Sequence, residues 1–316
     1  MCFFILVRMQ GMYSRYESIA PPGALSWLAE PLPKSFRVNA LKAAPAGALS
    51  LLAEEGIHCV PAPWHPDAFV IDSTLERHAL GNTLAHFLGQ IYVQDLASLL
   101  PVMALEPHLK PLADSTSAAP VLDACAAPGS KTSQLAAALE NRGAIAANDP
   151  SWQRVKALKS NLERLGVANT LITNLDLRRF PRYEFQAILL DAPCSSEGTV
   201  RKSIMNTRPQ QHPEPARLAA LQKQLLARAF ALLAPGGALV YSTCTLAPEE
   251  NELVVASLLE AQPGAHLEPV KIEGAPLAPG VTEWQGQELP ELEKARRLWP
   301  GPHWGGFFLA MLRKEG

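Results

Sequence analysis

The sequence predicts an α/β fold built on a mostly parallel sheet, preceded by a smaller α+β domain. Three observations lead there. From Pro120 onward, short apolar runs alternate with helical stretches, the pattern of β–α–β units that stack parallel strands between helices. Before about residue 105 that alternation is absent, and brief strand-like pieces surround one helical stretch in a Pro-punctuated chain. The chain has 316 residues, 48% hydrophobic and 18% charged, which is enough to bury a full core and too apolar for disorder.

Taken in order, residues 36–41, 69–72 and 91–93 read as strands, and 46–56 as a helix ended by Gly56. A helix is expected over 94–105, with Pro101 near its middle counting against it. Residues 106–119, EPHLKPLADSTSAA, have linker composition. The expected division is residues 1–105 as a small N-terminal α+β domain, a linker to about 119, and 120–316 as the α/β domain. Within the latter, PVLDAC precedes the helical SKTSQLAAALE, and AIAAND precedes SWQRVKALKSNLERLG. TLITN, AILLDAP, a helix to about Leu233, GALVYSTC and PEENELVVASLLEA follow, and GGFFLAMLR reads as a closing strand.

Composition excludes several classes. No apolar run approaches the roughly 20 residues of a membrane span. The opening MCFFILV has no basic segment before it and does not read as a signal peptide. The five cysteines (Cys2, Cys59, Cys125, Cys194, Cys244) are scattered without a CxxC pair. Neither a zinc site, nor any other metal, nor a disulfide framework is expected. A soluble, reduced, cytoplasmic protein is expected, one whose cysteines need another explanation. Net charge is −2, but residues 151–230 carry 13 Lys and Arg against 6 Asp and Glu. That basic middle suits a phosphate-facing surface, with solvated helix faces as the alternative.

In parallel sheets, ligands bind at the carboxyl ends of the strands. The first such end is Asp123-Ala-Cys-Ala-Ala-Pro-Gly129-Ser-Lys131-Thr132. Small residues and a glycine ahead of a helix let a ligand approach free backbone N–H groups. The string is neither GxGxxG nor a P-loop. The second end carries Asp149, placed to hold two ribose hydroxyls, and the third is followed by Asp176, within reach of an adenine amino group. Each carboxylate alone is equally a helix N-cap. Three at successive ends suggest an adenosine-bearing ligand without a phosphate loop, and S-adenosyl-L-methionine fits best.

The fourth end is Asp191-Ala-Pro-Cys194-Ser-Ser and the fifth Ser242-Thr243-Cys244-Thr245. On neighbouring strands, about 4.8 Å apart, both thiols would project into one cleft. A free cysteine is also a common small core residue, and that reading stands for Cys2 and Cys59. The pair is chemically informative. Carbon 5 of a pyrimidine is too weak a nucleophile to take a methyl group directly. A thiolate adding at carbon 6 makes the ring an enamine whose carbon 5 can attack a sulfonium methyl. A base must then remove the carbon 5 proton so that the thiol can leave, and a carboxyl such as Asp191 near ring nitrogen 3 would stabilise the polarised ring.

These motifs resemble those of the Sun-family RNA cytosine-5 methyltransferases. DACAAPGSKT is similar to their first cofactor motif, DAPCSSEGTVRK to the fourth and YSTCTLAPEENE to the sixth. Arg37-Val-Asn-Ala-Leu-Lys42 matches their RxNxLK string, GQIYVQDLASLLPV the segment before the first motif, and RLWPGPHWGGFFLAMLRK the terminal segment. The likeness runs from about Phe36 to Lys314. It implies a Rossmann-like class I methyltransferase sheet with a closing antiparallel strand. It also implies Cys244 as the nucleophile, Cys194 as the cysteine that assists release, and Asp191 as the residue contacting cytosine near the methyl donor. Cys125, Ala126, Ala127, Pro128, Gly129, Ser130 and Lys131 would form the cofactor loop, with Lys131 reaching the base. Asp149 would hold the ribose, Asp176 the adenine end, and Arg154 would order the site. Glu249, Glu250 and Asn251 resemble the family's helix cap.

Arg201, Lys202 and Arg208, beyond the fourth motif, are expected to contact RNA phosphates. The stretch SIMNTRPQQHPEP after Lys202 departs from the family's short Asn-Pro-Asp or Pro-Asp element. The leading expectation is an S-adenosylmethionine-dependent RNA cytosine-5 methyltransferase acting as a monomer, with ribosomal RNA favoured over transfer RNA. A catalytically idle RNA-binding or ribosome-assembly factor would not need both cysteines and Asp191. A DNA cytosine methyltransferase would lack Cys244 and carry a large target-recognition domain.

Overall fold

Two sheets share one core. The computed structural model describes residues 13–72, 80–114, 120–202 and 215–316. Strands β1 (Ser35–Val38), β2 (Cys59–Pro61), β3 (Ala68–Ile71) and β4 (Ile91–Val93) form a four-stranded antiparallel sheet in the order β2-β3-β1-β4. Helix α1 (Pro45–Glu54) links β1 to β2. Pro45 suits its first turn because no N–H is needed there, and Gly56, at φ 76, follows its end. A short helix α2 (Leu84–Phe87) is capped by the Thr83 hydroxyl.

Of the segment expected to be a linker, residues 106–114 are helical instead. Helix α3 (Leu100–Asp114) runs through Pro107 and Pro111, four residues apart on its exposed face. There water can take the place of each missing donor. On the other face Val102, Leu105 and Leu109 are fully buried against the large sheet. Burial of that stripe, decided by tertiary contact, outweighs what the prolines cost.

The large sheet contains β5 (Pro120–Asp123), β6 (Ala144–Asn148), β7 (Thr170–Thr173), β8 (Phe185–Asp191), β9 (Leu233–Thr243), β10 (Ala265–Glu268) and β11 (Leu277–Pro279). A small separate hairpin, β12 (Glu283–Trp284) with β13 (Gln287–Glu288), precedes β14 (Arg296–Leu298) and β15 (Phe307–Lys314). The order is β11-β14-β15-β9-β8-β5-β6-β7, with β10 also on β15. The pairs among β5 to β9 are parallel, and β15 closes antiparallel on β9, as the sequence predicts. Helices α4 (Ser130–Ala138), α5 (Trp152–Leu165), α6 (Pro215–Ala231) and α7 (Glu252–Ala261) complete the α/β pattern.

Alternation along a strand divides the core between the two faces of the sheet. In β8, Ile188 and Leu190 pack with α6 and α7, while Ala187 and Leu189 pack with α3 and α4. The second cluster also takes in Trp64, Ala68 and Val70, so apolar packing continues from the large sheet into the small one. The RxNxLK string fastens the same junction. Arg37 donates to the Ser133 hydroxyl of α4 at 2.9 Å, and Asn39 donates to the carbonyls of Gly89 and Leu165. Among the described residues no helix is long and apolar enough to cross a membrane.

Arg201, expected to face RNA, is buried at 2% exposure. Its guanidinium donates to the carbonyls of Glu30 (2.8 Å), Pro31 (3.1 Å), Gly301 and Trp304 (3.0 Å). It therefore ties an early segment to a late one. Burial requires each N–H to find an acceptor, and carbonyls left by irregular chain supply them. Arg201→Ala should lower unfolding stability by about 3 kcal/mol by orphaning these carbonyls. A denaturant midpoint equal to the native one would return Arg201 to the surface role.

Candidate active site

The parallel register of β8 and β9 sets Asp191 opposite Ser242. Both chains then leave the sheet, and Cys194 and Cys244 follow within three residues. Their Sγ atoms lie 3.3 Å apart. Cys244 is held below the ordinary thiol range by the hydrogen bond from Cys194, with help from the Ser196 hydroxyl and the Lys131 charge, against burial and Asp191. Cys194 is pushed well above that range by its hydrogen bond to Cys244 and by burial. The environment thus ranks two thiols that spacing alone leaves equal, favouring Cys244 as the one that gives up its proton.

Beside them, Lys131 Nζ pairs with Asp191 Oδ2 at 2.7 Å, and the Ser242 hydroxyl donates to Asp191 Oδ1 at 2.8 Å. Burial alone would lower the Lys131 pKa, but Asp191 and Asp123 hold it above its ordinary value. Asp123 is fully buried at the end of β5 and accepts from the Thr132 hydroxyl at 2.7 Å. Burial pushes its carboxyl up to about 7. The Lys131–Asp191 contact brings together two residues that the sequence reading assigned separately to the base. Ser242 was not singled out; its signal was its register opposite Asp191, invisible without the pairing.

The PEEN segment does more than cap a helix. Glu250 is fully buried and accepts the Ser195 N–H at 3.0 Å, the Ser195 hydroxyl, and Gln222 Nε2 at 2.8 Å. Gln222 Nε2 also reaches the Pro193 carbonyl at 2.8 Å. Asn251 holds the N-cap position of α7, yet its side chain accepts from the Thr243 hydroxyl and donates to the Thr245 carbonyl. Glu249 pairs with Arg15 and accepts from Trp284 Nε1 at 3.1 Å. The expected cap is therefore a set of clamps on the loops that carry the thiols. Gly198 completes the packing. A Cβ there would meet the Gly306 carbonyl oxygen at 2.3 Å, and its N–H donates to the Cys244 carbonyl at 2.9 Å.

Residues Cys125 to Lys131 form the turn from β5 into α4. Gly129 adopts φ 103, and a Cβ at that position would press on Leu158 at 3.1 Å. Burial raises the Cys125 thiol, which leaves it protonated. Asp149 is fully buried at the end of β6 and its Oδ1 accepts the Ser151 N–H at 2.9 Å. Its Oδ2 makes no aligned hydrogen bond and lies 3.0 Å from the Arg154 guanidinium, whose side chain is half exposed. Arg154 also donates to the Ala127 carbonyl, so it spans Asp149 and the loop. A buried carboxylate oxygen that meets only a half-exposed cation, beside a glycine-opened turn at a helix N-terminus, fits a ligand carrying ribose hydroxyls.

Asp176 is engaged by local partners. It caps a short 3₁₀ turn by accepting the Arg178 N–H at 3.0 Å, and its Oδ2 pairs with Arg178 at 2.6 Å. The N-cap alternative describes it: a carboxylate at the start of a turn meets backbone N–H groups first. Lys202 ends the short turn Glu197–Lys202, and Arg208 lies outside the described residues. No cluster of metal-ligating side chains occurs among the described residues.

Asp123 supplies a pH test. Its carboxyl titrates near 7 when folded and near 3.8 when free, so its contribution to stability is full below about pH 4 and is lost as pH rises through 7. Relative to Asp123→Asn, the native protein should lose about 1.4 kcal/mol per pH unit across that window. Denaturant midpoints measured between pH 5 and 7.5 should diverge; parallel curves would mean that Asp123 is already ionised at pH 5.

Comparison with known proteins converges with this geometry. Residues 107–313 match the family described as 16S rRNA methyltransferase RsmB/F. The chain is 42% identical over 296 residues to ribosomal RNA small subunit methyltransferase F of Cronobacter sakazakii, and 40% identical over 297 residues to that of Shewanella loihica. These matches cover 90% and 92% of this chain, but the chain spans only 57% and 58% of the relatives' lengths. Among solved structures, a methyltransferase homolog protein from Pyrococcus horikoshii superposes with a TM-score of 0.79 at 33% identity, covering 99% of this chain and 98% of that one. NSun6 from Pyrococcus horikoshii, solved with SFG, gives 0.75 at 26% identity, covering 92% and 93%. With the paired thiols, the Lys131–Asp191 contact and the parallel sheet in place, the chain belongs to the 16S rRNA methyltransferase RsmB/F family.

Proposed function

We propose that the protein methylates carbon 5 of a cytosine in RNA through a covalent Cys244–cytosine adduct, with ribosomal RNA as the target class. The observation that carries this reading is the 3.3 Å approach of Cys194 and Cys244 beside the Lys131–Asp191 pair. The names of the relatives favour ribosomal RNA over transfer RNA. S-adenosyl-L-methionine, when bound, supplies an electrophilic methyl group. The turn from Cys125 to Lys131 and Asp149 would hold it, with Arg154 moving aside from Asp149 Oδ2.

The residues divide the labour as follows. Cys244 Sγ adds to carbon 6 of the cytosine, and the electron pair of the 5,6 double bond becomes available at carbon 5. Lys131 and Asp191 stabilise the charge that spreads to ring nitrogen 3 and hold the proton there. After methyl transfer a base removes the carbon 5 proton, the double bond re-forms and Cys244 leaves as thiolate. Cys194, in contact with Cys244, is the group placed to assist that departure. A target base must leave its stack to reach such a cleft. Lys202 and Arg208 are retained as candidates for phosphate contacts, and Arg201 is not.

Two experiments test the reading. Cys244→Ala should abolish both methylation and any adduct. Cys194→Ala should attack and methylate but stall as an RNA–protein species that survives denaturing electrophoresis. An adduct from Cys244→Ala and none from Cys194→Ala would reverse the roles, and full activity in both would remove the covalent route.

Asp149→Ala should weaken cofactor binding by about 1.5–3 kcal/mol, the loss of charge-assisted hydrogen bonds. Calorimetry measures this without RNA, and native affinity in a folded variant would move the ribose site elsewhere.

A further inference from the structure

The serines that follow Cys194 are treated differently by the fold. Ser195 is buried, and its hydroxyl is used by Glu250 and Thr245. Ser196 is less buried and sits at φ 61, in the left-handed region that disfavours any side chain. Its hydroxyl lies beside both thiols, 3.5 Å from Cys244 Sγ and 3.9 Å from Cys194 Sγ. Among the described residues it otherwise makes a weak 3.4 Å approach to the Cys194 carbonyl. The turn itself is closed by main chain: the Ser196 carbonyl accepts the Thr199 N–H at 3.0 Å and the Thr199 hydroxyl at 2.9 Å. A glycine would satisfy that backbone better, so the hydroxyl is not explained by the turn.

We propose that Ser196 is a catalytic residue whose hydroxyl donates a hydrogen bond to the Cys244 thiolate, steadying it before attack and again as it leaves the ring. In the thiol form the Cys244 S–H points to Ser196 Oγ. On ionisation the hydroxyl rotates and donates, and no heavy atom need move. The position suits both ends of the reaction, because the same thiolate exists before addition and after release. The contact also favours Cys244 over Cys194 as the ionised partner, in agreement with the lowered Cys244 and raised Cys194 thiols.

Other ionisable groups act on this pair, Asp191 at the end of β8, Lys131 on α4 and Tyr241 in β9, while Asp123 at the end of β5 acts on Lys131 and Glu250 ahead of α7 acts on Tyr241. Substitution at Ser196 leaves all of them in place, so a moved titration reports the hydroxyl.

The proposal rests on Cys244 being the attacking thiol, and its test is arranged to be separable from methyl transfer. Ser196→Gly removes the hydroxyl and relieves the backbone; Ser196→Ala removes the hydroxyl and keeps the strain. Iodoacetamide alkylation of Cys244, resolved by peptide mass spectrometry without RNA, is followed against pH. Both variants should titrate at higher pH than the native protein. Alkylation near pH 7 should be slowed about three- to tenfold, with the native rate regained in alkali. Methylation at saturating RNA should fall by a similar factor at pH 7 with KM for RNA unchanged. An unmoved profile in both variants, or a shift confined to Ser196→Ala, would overturn the proposal. Shifted alkylation in a protein that methylates no RNA would support the hydroxyl–thiolate contact and overturn the methyl-transfer reading instead.

Discussion

One buried carboxylate, Glu250, holds together the two loops on which the chemistry depends. Parallel strands β8 and β9 share a ladder only as far as Asp191 and Ser242, and beyond that point nothing in the sheet fixes one loop relative to the other. Glu250 replaces the missing ladder. It takes donors from Ser195 in the first loop and from Gln222 on α6, while Ser195 also meets Thr245 in the second loop. A buried carboxylate is costly unless its oxygens find donors, and the donors here come from two separate elements, the loop after β8 and helix α6. The 3.3 Å separation of the thiols is a consequence of that convergence.

The same logic governs the buried arginines. Arg37 joins the small sheet to α4, and Arg201 joins the segment near Glu30 to that near Trp304. Arg297 meets Glu252 of α7 in a bidentate pair and donates to the Leu246 carbonyl at 2.9 Å, two residues past Cys244. Each guanidinium spreads its fork over partners distant in sequence, a task that suits its planar set of donors better than a lysine's point charge. A charge count along the chain treats these residues as surface cations. In the fold they hold the active-site loops in place.

The site also separates its acids by environment. Asp191 is held by Lys131 and Ser242, whereas Asp123, nine residues before Thr132 and deep in the sheet, is driven by burial toward its neutral form near pH 7. Asp149 occupies a third condition, buried but facing a guanidinium that can leave. Three aspartates at strand ends thus meet three different surroundings, a lysine with a serine hydroxyl, a buried threonine hydroxyl and a half-exposed guanidinium.

Sequence alone determined the features governed by local chemistry. Apolar runs of strand length, the glycine-opened turn before α4, and the PCS and TCT strings announced a parallel sheet with two thiols at its carboxyl edge. Residues 91–93 and the closing antiparallel strand were legible for the same reason: periodicity and turn residues act within a few positions. Tertiary structure decided the rest. Residues 106–114 form a helix because Leu105 and Leu109 are buried against a distant sheet, which no local count of prolines can anticipate. Arg201 is internal because carbonyls from opposite ends of the chain surround it, and Asp176 turns to Arg178 because a local cap was available. The ranking of Cys244 over Cys194 likewise belongs to the fold, since a thiol's charge depends on which donors and which depth of burial surround it, and those are fixed only when remote segments meet.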